Sequence, residues 1–224
     1  MLRAIAAPLL RSTIRSPLLL PSRHLSSLGF TPTLPPTLSS IIKPEMFVNL
    51  SSPETSSLWQ KYHHDKDQSV GASLPSPPHS TASLHANGAS SPFYIHPIFS
   101  STDAPNFFVL LVQFFPEHEI FVLTDLERYK QDPSSANPLM MFKAYDDYED
   151  SKNLILVRGD IVNAGLLKPD ALQTITSVIT SYTDGYDAPL GPSVFNHESS
   201  TFNVDLYIES CRKQVAATVE GQEF

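Results

Sequence analysis

The sequence predicts an α+β domain built on a mainly antiparallel sheet, with helices packed on that sheet and a tethered N-terminal helix. Two observations lead to this fold class. Short aromatic and β-branched segments separated by turn residues occupy the middle of the chain, and the longest helical pattern comes after them. Strands that come mostly before helices favour an antiparallel sheet over a doubly wound one. The expected strands are Phe93–Phe99, Phe107–Phe115, 119–123, 139–145 and 154–157.

Proline is unevenly distributed and suggests how the chain is divided. Of the 20 prolines, 14 fall in the first 105 of 224 residues. Enrichment in proline and serine is typical of loosely structured segments. We therefore expect a leader over 1–44, an amphipathic helix in 45–66, a flexible Ser/Pro-rich linker over 67–91, the α+β domain over 92–214 and a C-terminal tail over 215–224.

The leader has the composition of a targeting sequence. It contains five basic residues and no acidic one, and its arginines recur among apolar residues. Arg- and Ser-rich segments without acids are typical of mitochondrial or chloroplast transit peptides, and the arginine content favours mitochondria. We expect cleavage between Arg23 and Pro44. The alternative is a disordered basic tail.

A helix is expected to begin at Ser51. Glu54 stands three residues after Ser51, as a capping box requires, and Pro53 suits the first turn. The pattern runs to about Lys66. The side chains that share one face of this helix are Leu58, Trp59 and Tyr62.

Three further helices are expected. A second capping box at 124–127 opens a short helix, a long helix spans 166–182, and a last helix spans 202–214 after a Gly/Pro/Asp-rich loop over 183–200. The expected buried residues are Leu172, Ile175, Ile179 and Tyr182 in the long helix, and Phe202, Leu206 and Ile208 in the last one.

Charge and hydropathy argue against two kinds of partner. All 23 acidic residues lie in 45–224 with 10 of the 15 basic ones, which gives this part a net charge of −13. An acidic domain repels phosphate backbones, so we expect no nucleic-acid partner. The longest apolar stretch, Phe107–Phe115, is about nine residues, whereas a spanning helix needs roughly 20, so no membrane insertion is expected. The single cysteine, Cys211, excludes a disulfide within the chain.

Motifs for catalysis are missing from the sequence. It has neither a glycine-rich phosphate loop nor a G-x-S-x-G elbow. His63 and His64 are adjacent, whereas metal sites on helices use a spacing of three or four, so we interpret both as solvated side chains at a helix end. We therefore expect no enzyme activity, no cofactor and no metal. The alternative is a small organellar enzyme with a polar cluster formed by His96, His118, Arg158 and Asp160.

Large apolar side chains are concentrated between residues 107 and 142. Two interpretations are open: one face of the sheet is exposed as a binding surface, or both faces are buried within the domain. The residues concerned are Phe107, Phe108, Phe114, Phe115, Phe121, Met140, Met141 and Phe142.

Several sequence blocks between 57 and 208 occur in an order found in one family. They are SLWQKYH at 57–63, PFYIHP at 92–97, the aromatic hairpin at 106–124 that continues as FVLTDLERYK at 121–130, DSKNLILVRGD at 150–160, and Phe195-Asn196 followed by Phe202. Together they resemble the mitochondrial ATP synthase assembly factor family, specifically the factor that chaperones the β subunit of the F1 sector. Asn153 stands where that family has glycine, and Ser193-Val194 replaces its Glu-Thr pair.

The resemblance implies a mitochondrial matrix protein without catalytic activity. Its relatives bind the unassembled β subunit and keep it soluble until the α subunit takes its place. A free β subunit exposes an apolar interface that is prone to aggregation. A chaperone that competes for this surface needs no ATP hydrolysis. We expect a monomer. A permanent structural subunit of a mitochondrial complex is the other possibility.

Two groups of residues are the candidates for partner binding. Leu58, Trp59 and Tyr62 contact either the client or the chaperone's own domain. The second group, Phe195, Asn196 and Phe202, forms a further contact or anchors the final helix.

Overall fold

The computed structural model describes residues 34–99, 107–163 and 165–220, so most of the predicted targeting segment, residues 1–33, lies outside the described residues. The predicted fold class is confirmed, because one antiparallel sheet carries helices packed on it. The strands are β1 (Ser69–Pro75), β2 (Phe93–Phe99), β3 (Phe107–Phe115), β4 (Ile120–Asp125), β5 (Pro138–Tyr145) and β6 (Leu154–Ile161). The helices are α1 (Leu38–Ile41), α2 (Ser52–His64), α3 (Thr81–Ser90), α4 (Leu126–Gln131), α5 (Glu149–Lys152), α6 (Lys168–Tyr182), α7 (Pro192–His197) and α8 (Val204–Glu220), with a 3-10 turn at Pro44–Met46.

Strand order places the first two strands at opposite edges of the sheet. The order is β1-β6-β5-β4-β3-β2, and every neighbouring pair is antiparallel. Strands β2 to β6 form a meander, and β1 pairs with β6 at its far side. Strands that are consecutive in the chain, β1 and β2, therefore form the two edges.

The five predicted strands are confirmed in position. Phe93–Phe99 and Phe107–Phe115 agree residue for residue, and β4 and β5 agree within two residues at each end. The predicted strand at 154–157 is too short, because β6 continues to Ile161. Gly159 lies inside this extension, and a Cβ there would come within 2.8 Å of Ile175 and Met140 side chains. Close packing against α6 therefore favours glycine at this position.

Most of the large apolar side chains between 107 and 142 belong to the core. One face of the sheet packs on α3 and α6 through a cluster that includes Phe114, Phe121 and Phe142. A smaller cluster on the other face contains Phe115 and Met141. These side chains are buried, and Phe107 and Phe108 are half-buried. The structure thus favours the interpretation in which both faces are covered.

The expected flexible linker over 67–91 is wrong, because this segment forms β1 and α3. β1 pairs with β6 over seven residues. Leu84 of α3 is fully buried, and Gly88 lies so close to Phe114 that a Cβ would come within 2.7 Å of the ring. The α+β domain therefore includes this segment, and α2 precedes it without an intervening tether.

The expected boundary of the leader at residue 44 also differs from the structure. Leu38 and Ile42 are buried in a cluster with Phe47 and Tyr148. The Tyr145 hydroxyl donates to the Pro36 carbonyl at 2.8 Å. Residues 36–47 therefore belong to the folded body, and apolar residues that could be assigned to a leader are in fact core residues.

The helix predicted at 51–66 is confirmed as α2, with its capping box. Ser51 N–H donates to Glu54 at 2.8 Å, and the Ser51 hydroxyl accepts from Glu54 N–H at 3.5 Å. The second predicted capping box is wrong in its first residue. The residue that caps α4 is Asp125, whose side chain accepts a hydrogen bond from Arg128 N–H at 2.9 Å. Thr124 is instead a fully buried residue of β4.

The long predicted helix is confirmed as α6, with one error in its buried face. Ile175, Ile179 and Tyr182 are fully buried, whereas Leu172 is 37% exposed. The buried stripe runs through Ala171, Ile175, Val178 and Tyr182, and Leu172 lies about 100° away from Ala171 on the helix.

The C-terminal part is more helical than expected. The predicted loop over 183–200 contains α7, and the last helix continues to Glu220, so the expected tail from residue 215 is helical up to that point. Ile208 is buried as predicted, but Leu206 is 59% exposed because the adjacent Tyr207 takes the inward position.

Candidate partner-binding sites at the two sheet edges

The candidate partner-binding residues lie at opposite edges of the sheet. Leu58, Trp59 and Tyr62 belong to α2, which packs along β1. Asn196 belongs to α7, which packs on β2, and Phe202 lies just before α8. The structure therefore does not combine the six residues into one surface. Four strands, β6, β5, β4 and β3, lie between β1 and β2 in the sheet.

Trp59 anchors α2 to the body of the domain. Its side chain is fully buried, and its indole N–H donates to the Val157 carbonyl of β6 at 3.1 Å. The ring meets Tyr145 edge to face at a centroid distance of 6.2 Å and joins the cluster that contains Phe47. Of the two interpretations of this residue, contact with its own domain is therefore the one that the structure shows.

The other two residues of this group form an outward stripe on α2. Leu58 is 39% exposed and Tyr62 is 38% exposed. They are four residues apart, so they lie on the same side of the helix. Lys66 Nζ lies 4.5 Å above the Tyr62 ring. This α2 stripe is an apolar surface that a partner can reach without unfolding the domain.

The contact between α2 and β1 is mostly polar. Ser56 Oγ is hydrogen-bonded to Ser73 Oγ, and Gln60 Nε2 donates to the same hydroxyl at 3.3 Å. His63 Nδ1 lies 2.5 Å from Ser69 Oγ. Gly71, between the two serines, leaves room for the rings of His63 and Trp59. Small residues on this face of β1 thus make space for α2.

His63 is a buried histidine, which contradicts its interpretation as a solvated side chain; only His64 is exposed. Burial lowers the pKa of His63 to about 4, and the positive charges of Arg158, Lys66 and Lys168 act in the same direction. The ring is therefore neutral at physiological pH. Its Nε2 atom is buried without a hydrogen-bond partner, as is Thr55 Oγ1 on the same helix.

Asn196 protects the opposite edge by imitating a neighbouring strand. Its amide Nδ2 donates to the Phe93 carbonyl at 2.6 Å, and its Oδ1 accepts from Phe93 N–H at 3.3 Å. The same Nδ2 also donates to the Pro192 carbonyl at 2.7 Å. One side chain thus satisfies both backbone groups of an edge residue.

The aromatic residues of this second group pack inward. Phe195 and Phe202 are both half-buried and meet Tyr94 at centroid distances of 5.7 and 6.3 Å. Tyr207, which the sequence analysis did not single out, donates from its hydroxyl to the Ile95 carbonyl at 2.9 Å. This group therefore anchors α7 and α8 to β2, the second of its two interpretations. The sequence around Tyr207 does not predict this contact, because its partner Ile95 lies 112 residues away in the chain.

The polar cluster of the enzyme alternative does not assemble. His96 is buried on edge strand β2, whereas Arg158 and Asp160 are on β6, with three strands between. His118 lies in the turn between β3 and β4. Arg158 donates to the Asp160 carboxylate from two nitrogens at 2.7 to 3.1 Å, so these opposite charges pair with each other.

A cavity of about 480 Å³ lies beside that ion pair. Leu34, Met141 and Val162 line it together with Arg158 and Asp160. In the part of the chain that the structure describes, no three His, Cys, Asp or Glu side chains are close enough to hold a metal ion. In the same part, no helix is both long and apolar enough to cross a membrane.

Comparison with known proteins gives the family. No curated protein sequence matches the chain. The model of the family described as ATP11 protein matches residues 30–190, which is more than two thirds of the chain and includes α2 and all six strands but neither α7 nor α8. This family is one of assembly chaperones and not of enzymes. The chain therefore belongs to the ATP11 family, the family of the F1 ATP synthase assembly factor ATP11.

Proposed function

We propose that this protein binds the unassembled β subunit of mitochondrial ATP synthase in the matrix and holds it until the α subunit replaces it. The family match over 30–190 carries the proposal, because that family acts in F1 assembly. The protein would act as a monomer without cofactor or catalysis. Its acidic domain, with a net charge of −13 over 45–224, is consistent with a protein client and with no nucleic-acid partner.

We assign the first contact with the client to the α2 stripe. Leu58 and Tyr62 lie inside the family match and are accessible, whereas Phe195, Asn196 and Phe202 lie outside it and hold the domain's own edge. Interfaces between proteins are enriched in tyrosine at their centres. Trp59 contributes indirectly, because its burial fixes the orientation of the stripe.

The test is a capture experiment with the full-length chain and purified ATP synthase β subunit. We expect the immobilised protein to retain the β subunit and to release it when α subunit is added, because the two compete for one surface. No retention of the β subunit, or retention that α subunit does not reverse, would contradict the proposal.

Paired variants test the α2 stripe. Leu58→Ala and Tyr62→Ala each remove an accessible apolar side chain, and we expect each to weaken capture about tenfold or more, as at a binding hot spot. Leu206→Ala is the matched control, because Leu206 is 59% exposed on α8 and lies outside the family match. Equal capture by all three variants would show that the stripe is not the contact.

The folded body limits where a transit peptide can end. Leu38 and Ile42 are buried, and the Pro36 carbonyl is bonded to Tyr145, so cleavage after residue 36 would remove part of the core. We therefore propose that processing occurs upstream of Pro36, within the earlier expected range that begins at Arg23. The N-terminal residue of the protein isolated from mitochondria, determined by mass spectrometry, tests this limit. A mature chain that begins after residue 36 would contradict it.

A further inference from the structure

The hydrogen-bond register shows which backbone groups of β1 face away from the sheet. Ile161 N–H donates to the Gln68 carbonyl at 2.8 Å, and Ser76 N–H donates to the Asn153 carbonyl at 2.9 Å. In an antiparallel pair the bonded residues alternate, so the even-numbered residues of β1 bond to β6. Ser69, Gly71 and Ser73 therefore point their N–H and C=O groups outward.

These outward groups have no partner among the described residues. The hydrogen bonds between α2 and β1 reach only the side chains of Ser69 and Ser73. Gly71 is nevertheless buried, so its backbone groups are shielded from water. Buried backbone groups without a partner are rare and destabilising. On α2, the His63 Nε2 and Thr55 Oγ1 atoms are also buried without a hydrogen-bond partner.

At the opposite edge, side chains satisfy three of the outward backbone groups. The Phe114 N–H to Pro92 carbonyl bond places Phe93, Ile95 and Pro97 outward on β2. Asn196 satisfies both groups of Phe93, and Tyr207 satisfies the Ile95 carbonyl. Proline has no N–H to satisfy. β1 has no equivalent partners, although its edge offers three outward N–H groups at alternate positions.

We propose that α2 is a displaceable cover over β1, and that an extended segment of the client pairs with the β1 edge when α2 moves aside. This inference rests on the proposed function. Outward donors and acceptors that recur every two residues match one ligand chemistry, which is the backbone of another strand. Ser69, Gly71 and Ser73, whose backbone groups point outward, have small side chains or none, and these face α2. The space that they leave accommodates the ring of Trp59. The occupant is therefore a strand with bulky apolar residues at alternate positions, which refill the space that Trp59 leaves.

A reversible cross-link tests whether α2 must move. Ser56 and Ser73 touch through their hydroxyls, so S56C/S73C places two thiols in contact; C211S removes the only native cysteine. We expect the oxidised protein to capture the β subunit at least tenfold more weakly than the same protein after reduction. Each single cysteine variant, treated with the same oxidant, is the control and should capture normally. Equal capture by the oxidised and reduced forms overturns the proposal.

A second pair of variants tests the backbone of the edge. Ser73→Pro removes an outward N–H without breaking the β6 ladder, whereas Ser73→Ala keeps that N–H and loses only the side-chain contacts with α2. We expect Ser73→Pro to weaken capture at least tenfold and Ser73→Ala to equal or exceed the unmodified chain. The same loss in both variants, or in neither, overturns strand pairing at this edge.

The single tryptophan supplies a readout that does not depend on affinity. A chain labelled with 5-fluorotryptophan gives one fluorine NMR signal, from buried Trp59 on α2. Adding β subunit should move this signal toward its position in the unfolded chain. An unshifted signal with bound client overturns displacement but leaves the proposed function intact. Failure of the unmodified chain to bind any β subunit overturns the proposed function, and this inference with it.

Discussion

The two edge strands are consecutive in the chain, but they are protected in different ways. At β2, the Asn196 amide and the Tyr207 hydroxyl bond directly to the backbone of the edge. At β1, a whole helix covers the strand and yet bonds only to its side chains. Burial and hydrogen-bond satisfaction are therefore separate properties of an edge. The β2 edge has side-chain partners for the Phe93 N–H and for the Phe93 and Ile95 carbonyls, whereas the described residues give the outward backbone groups of Ser69, Gly71 and Ser73 on β1 none.

The largest effect should come from the anchor of the β1 cover. Trp59→Ala removes a fully buried ring and its bond to the Val157 carbonyl. Loss of a large buried aromatic side chain costs about 3–5 kcal/mol. Urea unfolding followed by circular dichroism measures this change. A loss of less than about 1 kcal/mol in the free energy of unfolding would show that α2 contributes little to the stability of the folded body. The cover over β1 would then be weaker than its buried contacts indicate.

Asn196→Ala should produce the next largest effect, at the β2 edge. It removes three hydrogen bonds and leaves the Phe93 backbone groups unpaired, at a cost of about 1–3 kcal/mol. An unprotected edge also promotes association between copies, which light scattering would detect. Leu206→Ala is a suitable control on the adjacent helix. If Asn196→Ala neither increases association between copies nor lowers stability, the β2 edge does not depend on this side chain.

The pH dependence of stability should include a contribution from His63 at the β1 edge. Its pKa is about 4 in the folded protein and ordinary, about 6.5, in the unfolded chain, so only the unfolded chain takes up the proton between these values. Its contribution is therefore intact above pH 6.5 and is lost as the pH falls toward 4. The loss is at most about 2 kcal/mol between pH 6.5 and 5.

His63→Asn is the matched variant for this titration, because its amide can replace Nδ1 as a partner of Ser69. Its stability should fall less steeply than that of the unmodified chain between pH 6.5 and 4. Burial also lowers the pKa of His96 on β2 to about 4, so part of the acid sensitivity should remain. Identical pH profiles for both proteins would contradict the assignment of a proton-sensitive contact to the β1 edge.

The smallest effects on folding should come from the outward residues. Leu58→Ala and Leu206→Ala both truncate exposed leucines, and we expect each to change the free energy of unfolding by less than about 0.5 kcal/mol. Thermal denaturation is sufficient to measure this. A larger loss for Leu58→Ala would mean that the α2 stripe supports the fold, and its loss of client capture would then need another explanation.

Elements with a strong local signal are predictable from the sequence of this protein. The capping box of Ser51 and Glu54 predicts the start of α2, and aromatic runs predict β2 and β3. The helix α3 is not predictable in this way, because the bonds to Thr81 in its first turn come from Glu149, which belongs to the distant helix α5. The strand β1 is not predictable either. Its residues facing α2 are serine and glycine, which lack the apolar character of a typical strand and leave space for Trp59.

The sites show the same division between local and distant signals. The helical pattern places Leu58 and Tyr62 on one side of α2, but it cannot show that Trp59 turns inward, because the Val157 carbonyl that holds it is 98 residues away. One departure from the family pattern has a local explanation. Asn153 stands in place of glycine with φ +50° and ψ +44°, a left-handed conformation that asparagine tolerates better than most residues.

Both ends of α2 are held by residues from other elements. Ser52 donates to the Lys152 carbonyl at 2.6 Å, and Lys168 Nζ donates to the His64 carbonyl at 3.0 Å. For the proposed displacement of α2, both of these contacts would have to break. Under that proposal, the rate at which α2 opens would set an upper limit on how fast the client is captured. The observed association rate should rise with client concentration, then level off at the frequency with which Lys168 and Ser52 release together.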